Sequence, residues 1–225
     1  MPRRRRRSRR RTSSFGYLLV IVVVAAVGYL LVQRGVLPAP GGGATRPPPA
    51  TGGQADNTRA IDRLGGSVDY GHVDPGTGQR SGIRATITPA MVAAAGRHQL
   101  GSAADPDIHP PGWDQLPARN RARGHLFGRQ LGGSGELAAN LVALYQSRAN
   151  TPVMRDYETA VAEAVQAGET IRYSVRPLYP GRGFRGPPSA VRITAAGNHG
   201  FHLDVTIANT PQAAVKETAA QAAAP

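Results

Sequence analysis

The sequence has no cysteine, which excludes disulfides, zinc–thiolate centres and cysteine nucleophiles. It has one lysine, Lys216, among 27 basic residues. Such a skew fits phosphate recognition by guanidinium forks, and it fits the coding bias of a GC-rich genome equally well. Aromatic residues are scarce, at 5%. No acidic residue precedes Asp56, and no internal repeat is present, which excludes a solenoid.

What is there is unevenly spread. The net charge is +13, yet eight arginines between Arg3 and Arg11, together with Arg34, account for all but four of it. Residues 1–14 therefore read as a basic cytoplasmic tail. Residues 15–32 carry no charge. At about 1.5 Å per residue they span ~27 Å as a helix, close to a ~30 Å hydrocarbon core. The arginines on the N-terminal side orient that helix with its N-terminus in the cytoplasm. This predicts a single-pass anchor at the cell membrane with the rest of the chain outside. A cleaved signal sequence, giving a secreted product, is the rival reading; its apolar region is usually only about 7–15 residues long. Residues 33–57 are a Pro/Gly linker that would hold a domain off the bilayer.

The remaining ~150 residues suffice for one domain with a real core. Strands are expected at 67–73, 84–87, 126–131, 140–145, 171–175, 190–193 and 201–207, the clearest of them by period-two alternation. One principal helix is expected over 152–167, with Asn150 or Thr151 as its cap and Gly168 as its stop. Its apolar stripe is Val153, Tyr157, Val161, Ala164 and Val165. Residues 101–118 read as loop. The fold class is α+β with a mainly antiparallel sheet, the domain covers 58–208, and 209–225 reads as a disordered tail.

Candidate chemistry gathers in residues 121–158. His125 can take a proton from water near neutral pH, as phosphodiester hydrolysis requires. The amide oxygen of Asn150 is a hard ligand of the kind Mg²⁺ accepts alongside several waters. As a plain helix cap it would have no such role. Glu158 lies about two helical turns further on, ~12 Å along the axis, so it can reach a water held by the metal more readily than the metal itself. Alternatively it is a solvated helix-face carboxylate. Arg129 and Arg148 can grip phosphate in a bidentate manner, or stand solvated. Taken one residue at a time, the choice stays open between a metal-dependent hydrolase and a polyanion binder.

The ordered series Asn120-Arg121-Ala122-Arg123-Gly124-His125, Gln130-Leu131-Gly132-Gly133-Ser134, Ala139-Asn140-Leu141, Ala149-Asn150-Thr151-Pro152, Tyr157-Glu158 and Ile171-Arg172-Tyr173 resembles the DNA/RNA non-specific endonucleases. Within them it looks most like the bacterial DNA-entry nuclease branch of the ββα-metal (His-Me finger) superfamily. The resemblance covers about residues 66–208 and is strongest over 120–179. It implies a ββα-metal core with His125 as general base, Asn150 as the direct ligand of one Mg²⁺, and Glu158 holding a water on that metal. It further implies Arg123 near the scissile phosphate and Asn140 supporting the site. Mn²⁺ would be the substitute metal, and the partners would be DNA first and RNA second. The branch includes nucleases with an N-terminal anchor. One departure stands out: the motif aspartate is replaced by Ala122, and Asp114 is a candidate to take over its part. The resemblance therefore implies an Mg²⁺-dependent endonuclease acting outside the cytoplasm. The alternative is a catalytically weak, membrane-anchored DNA-binding module.

Overall fold

The computed structural model describes residues 57–218. The basic tail, the apolar segment 15–32 and the linker up to residue 56 lie outside the described residues. In chain order the elements are α1 (Thr58–Arg63), β1 (Ser67–Asp69), β2 (Ile83–Ile87), α2 (Pro89–Gly96), β3 (Arg121–His125), β4 (Leu141–Tyr145), β5 (Ser147–Arg148), β6 (Thr151–Pro152), α3 (Val153–Gln166), β7 (Ile171–Leu178), β8 (Ala190–Gly197), β9 (His202–Ala208) and β10 (Val215–Glu217).

Alternation builds the main sheet. In β7, Ile171, Tyr173 and Val175 are buried while Arg172, Ser174 and Arg176 face outward. Val191, Ile193 and Ala195 of β8 and Val205 and Ile207 of β9 continue the buried side. Six strands line up as β1-β2-β7-β8-β9-β10, every neighbour antiparallel. The buried face packs into one core with α2, α3 and the separate β3–β4 hairpin. From α3 it receives Met154, Val161, Ala162 and Val165. Burying a valine or methionine side chain of this kind contributes about 1.5–3 kcal/mol. The fold is thus α+β with a mainly antiparallel sheet and few helices. No helix among the described residues is long and apolar enough to cross a membrane.

Three local expectations change. Residues 126–131 are not a strand: β3 ends at His125 and Arg129–Leu131 is a 3-10 turn. The reason is the buried Asn140 side chain, which takes both the N–H and the carbonyl of Phe127, at 2.8 and 3.0 Å, in place of a partner strand. Gly132, at φ +108°, then turns the chain as only glycine does readily. Second, α2 forms where no helix is expected. Thr88 caps it, Pro89 opens it, and Met91, Val92, Ala94 and Ala95 are all buried.

Third, residues 210–218 are not a disordered tail, and residues 219–225 lie outside the described residues. Ala213 is buried and Val215–Glu217 pairs with Val205–Ile207 of β9. The Tyr157 hydroxyl donates to Glu217 at 2.9 Å, which fastens the added strand to α3. Asn209 secures the turn into it, accepting from the Tyr145 N–H and donating to the Ala143 and Pro188 carbonyls.

Candidate active site

A cleft of about 580 Å³ opens between α2, α3 and the end of β3, and His125, Arg129, Asn150 and Glu158 all line it. Each arrives by a different local rule. His125 is the last residue of β3, paired with Leu141 of β4. Strand alternation puts Arg121, Arg123 and His125 on one face and buries Ala122 and Gly124 on the other.

The His125 ring is held by a backbone group. Its Nε2 lies 3.1 Å from the Ser102 carbonyl. A carbonyl can only accept, so Nε2 carries the proton and Nδ1 keeps its lone pair. Burial pushes the imidazole below its ordinary 6.5; the Ser102 carbonyl opposes that shift, and the Arg129 charge adds to it. The ring is therefore neutral at pH 7, with Nδ1 able to accept a proton.

Asn150 does not cap the helix. The chain forms the short parallel pair β5–β6 around it, and α3 starts only at Val153, with no side-chain cap. The Asn150 amide instead donates to Gln146 Oε1 at 3.1 Å, which fixes the nitrogen and leaves the oxygen free of the helix end.

Glu158 is not the solvated helix-face carboxylate of the alternative reading. It shares the buried face of α3 and is 7% exposed. Its Oε1 is buried without a hydrogen-bond partner, as is the Tyr173 hydroxyl. Burial raises the carboxyl to about 8, against opposing contributions from the Gln130 side chain and the Gly128 N–H. A Cβ at Gly128 would stand 2.3–2.6 Å from the Glu158 carboxylate and push it from its present position.

These observations fit a hard cation. A buried, orphaned carboxylate oxygen and an uncapped amide oxygen line one cleft, with no thiol near. No cluster of three or more His, Asp, Cys or Glu side chains that could hold a metal occurs among the described residues. A cation here would keep most of its shell as water, in the manner of Mg²⁺.

Other candidates sit elsewhere. The Arg123 guanidinium donates to the carbonyls of Ile108 (2.6 Å) and Pro106 and stacks 4.2 Å from the Trp113 ring centre. Arg123 thus braces the 101–118 loop, the loop that supplies the Ser102 carbonyl. Arg148 is exposed, at φ +79°, and does not line the cleft. Asn140 is fully buried and joins Phe127 to the Ser134 carbonyl (2.8 Å), linking the end of β3 to the glycine-rich turn. Asp114 pairs with Arg121 at 2.8 Å, so it does not stand in for the missing aspartate. Ala122, buried opposite Leu144, faces away from His125, so an acid there could not have oriented the ring from its own strand face.

Sequence reasoning missed Ser102, His98 and Arg155. Ser102 acts through its carbonyl, which any residue type has. His98 accepts from Arg129 through Nδ1 at 3.2 Å and lines the cleft beside Arg155.

A model of the DNA/RNA non-specific endonuclease family matches residues 77–196. Among solved structures, NucA from Streptococcus agalactiae, with no metal bound, is similar at 19% identity and a TM-score of 0.50; the match covers 68% of this chain and 78% of that one. The Sda1 nuclease with bound zinc ion is similar at 19% identity and a TM-score of 0.50, over 64% of this chain and 74% of that one. None of the curated proteins matches.

Proposed function

The chain belongs to the DNA/RNA non-specific endonuclease family and is thus a nuclease; on that premise we propose that it is an Mg²⁺-dependent endonuclease of DNA, and secondarily RNA, working outside the cytoplasm. The bond from His125 Nε2 to the Ser102 carbonyl carries the reading, because it leaves Nδ1 free to act as a base on a residue that lines the cleft.

In this reading His125 Nδ1 takes a proton from water as the water oxygen attacks phosphorus. The P–O3′ bond breaks, leaving a 5′-phosphate. Arg129, on the cleft wall, binds the phosphate oxygens, with Arg155 beside it. Asn150 would hold the Mg²⁺, and Glu158 would stand as the acid beside it. When bound, Mg²⁺ supplies positive charge against the phosphorane and the leaving 3′ oxygen; Mn²⁺ would serve as a substitute. Arg123 serves the reaction at one remove, by bracing the loop that orients the base. Contacts confined to phosphate and sugar account for the absence of base preference. The β3–β4 hairpin followed by α3 is the ββα unit of such a site.

Residues 15–32 would anchor the protein, with the N-terminus in the cytoplasm and the nuclease domain outside. A mature chain beginning near Thr45 would instead make it a secreted product.

The test is plasmid degradation by the full chain with Mg²⁺. His125→Ala should lower kcat about 10²–10⁴-fold. Asn150→Ala should abolish the dependence on added Mg²⁺ along with the activity. Because only neutral His125 serves, kcat/KM should rise with pH through a value below the ordinary 6.5. Equal cutting by the parent and His125→Ala would sink the assignment.

A further inference from the structure

The main sheet has two faces of opposite character. The inner one is apolar and covered by α3 and its neighbours; the outer one is open to solvent. Cross-strand register gathers the outer side chains into rows. One row carries Arg172 and His202, the next Asp69, Arg84 and Asp204, and the third Arg176, Arg192 and Lys216, so four arginines and a lysine face two carboxylates.

Three observations point the same way. First, the positive charge is in surplus. Asp204 is already held by Arg192 in a two-bond fork, at 2.9 and 2.7 Å. Arg84, Arg172 and Arg176 are exposed and make no ion pair among the described residues. Second, Arg176 stands directly opposite Arg192 across β7 and β8. Like charges in direct register destabilise a sheet, so this face keeps an arrangement that folding alone disfavours. Third, the face is concave. A trough of about 530 Å³ runs across β1, β2, β7, β8 and β9. Small side chains (Ser174, Thr194, Ala196) floor it, and Arg84 and Arg172 line it together with Asp69, whose carboxylate accepts from the Gly71 N–H at 2.8 Å.

A trough with a polar floor, edged by unpaired guanidinium groups, complements a phosphodiester backbone. We infer that the outer sheet face is a second nucleic-acid site, which holds a distant segment of a long substrate while the cleft cuts another. The two sites are on opposite sides of the sheet, since α3, which lines the cleft, packs on the inner face. The inference rests on the nuclease reading only for the cutting; phosphate binding is separable from it.

The probes are plasmid DNA and a duplex of about 10 base pairs, a rod far shorter than the ~150 bp persistence length, which cannot bend round the domain to touch opposite faces of the sheet at once. The variant is Arg84→Gln, Arg172→Gln and Arg176→Gln in the full chain, with binding measured in a His125→Ala background. Plasmid binding should weaken about tenfold or more at physiological salt. The slope of log affinity against log salt should fall by about 2–3, at ~0.9 for each phosphate no longer neutralised. Cleavage of the short duplex should be unchanged, and melting temperature should hold or rise as the Arg176–Arg192 repulsion is relieved. If the triple variant fails to fold, Arg84→Gln alone should still reduce the slope, by about one.

An unchanged plasmid slope overturns the inference. So does an equal loss on both substrates, or arginine-dependent binding to phosphatidylserine vesicles with none to plasmid. If the parent binds plasmid through these arginines yet cuts neither substrate, the nuclease reading fails while the second site stands.

Discussion

Glu169 and Glu158 are almost equally covered, at 8% and 7% exposed, yet their carboxyls shift in opposite directions. Glu169, beyond the end of α3, accepts from the backbone N–H groups of His199 (2.7 Å) and Phe201 (3.0 Å). Those donors hold it below the ordinary carboxylate range. Glu158, in the cleft, keeps one oxygen without a partner, and burial lifts it to about 8. Residue exposure alone therefore does not set the charge of a carboxylate here: burial of the carboxyl dominates at Glu158, and backbone N–H donors dominate at Glu169. Glu169 has donors for both its oxygens, whereas Glu158 leaves an acceptor open in the cleft, which gives a cation something to complete.

Removing a satisfied group should have the largest effect. Asn140→Ala strands three buried backbone partners, the Phe127 N–H and the carbonyls of Phe127 and Ser134. At about 1–3 kcal/mol per stranded group the loss is roughly 3–9 kcal/mol, seen as a lower urea midpoint. A midpoint close to the parent's would break the comparison.

The unsatisfied group should behave in the opposite sense. Its folded value of about 8 lies above the ordinary 4.5, so the folded chain binds the extra proton. In EDTA, stability should be full below about 4.5 and should fall as pH rises towards 8, by on the order of a few kcal/mol. Glu158→Gln should flatten that slope in urea melts at stepped pH while removing activity. Added Mg²⁺ should flatten it for the parent chain too. A parent with no slope in EDTA would show that Glu158 finds a partner in solution.

The exposed pair Arg192–Asp204 should matter least. Arg192 holds Asp204 below its ordinary value, so the stabilisation is present above about 3.8 and lost as pH falls through the lowered value. With the Arg192 side chain 47% exposed, Asp204→Asn should cost only about 0.5–1 kcal/mol at pH 7. A larger loss would mean that the outer face depends on this fork for its shape.

The legible parts of the molecule were those that repeat. Period-two alternation placed β7, β8 and β9, and the order of motifs brought His125, Asn150 and Glu158 to one cleft. What stayed hidden was non-periodic. Helix α2 buries Met91, Val92, Ala94 and Ala95 and shows no amphipathic stripe, although Thr88-Pro89 was a readable start. The Ser102 carbonyl reaches His125 across 23 residues of chain, and no residue type announces it. The resemblance set Arg123 near the scissile phosphate; the carbonyls of Pro106 and Ile108 that its guanidinium meets are not legible in a sequence.

The two short strands that close the main sheet have a further consequence. Both β1 and β10 are three residues long, and together they cap strands of five and seven residues. A sheet edge is a template on which another chain can add itself, and a template of three residues offers few hydrogen bonds to a newcomer. The folded domain would thereby resist edge-to-edge aggregation. Trimming the chain before Val215 would expose the full length of β9 and take that protection away.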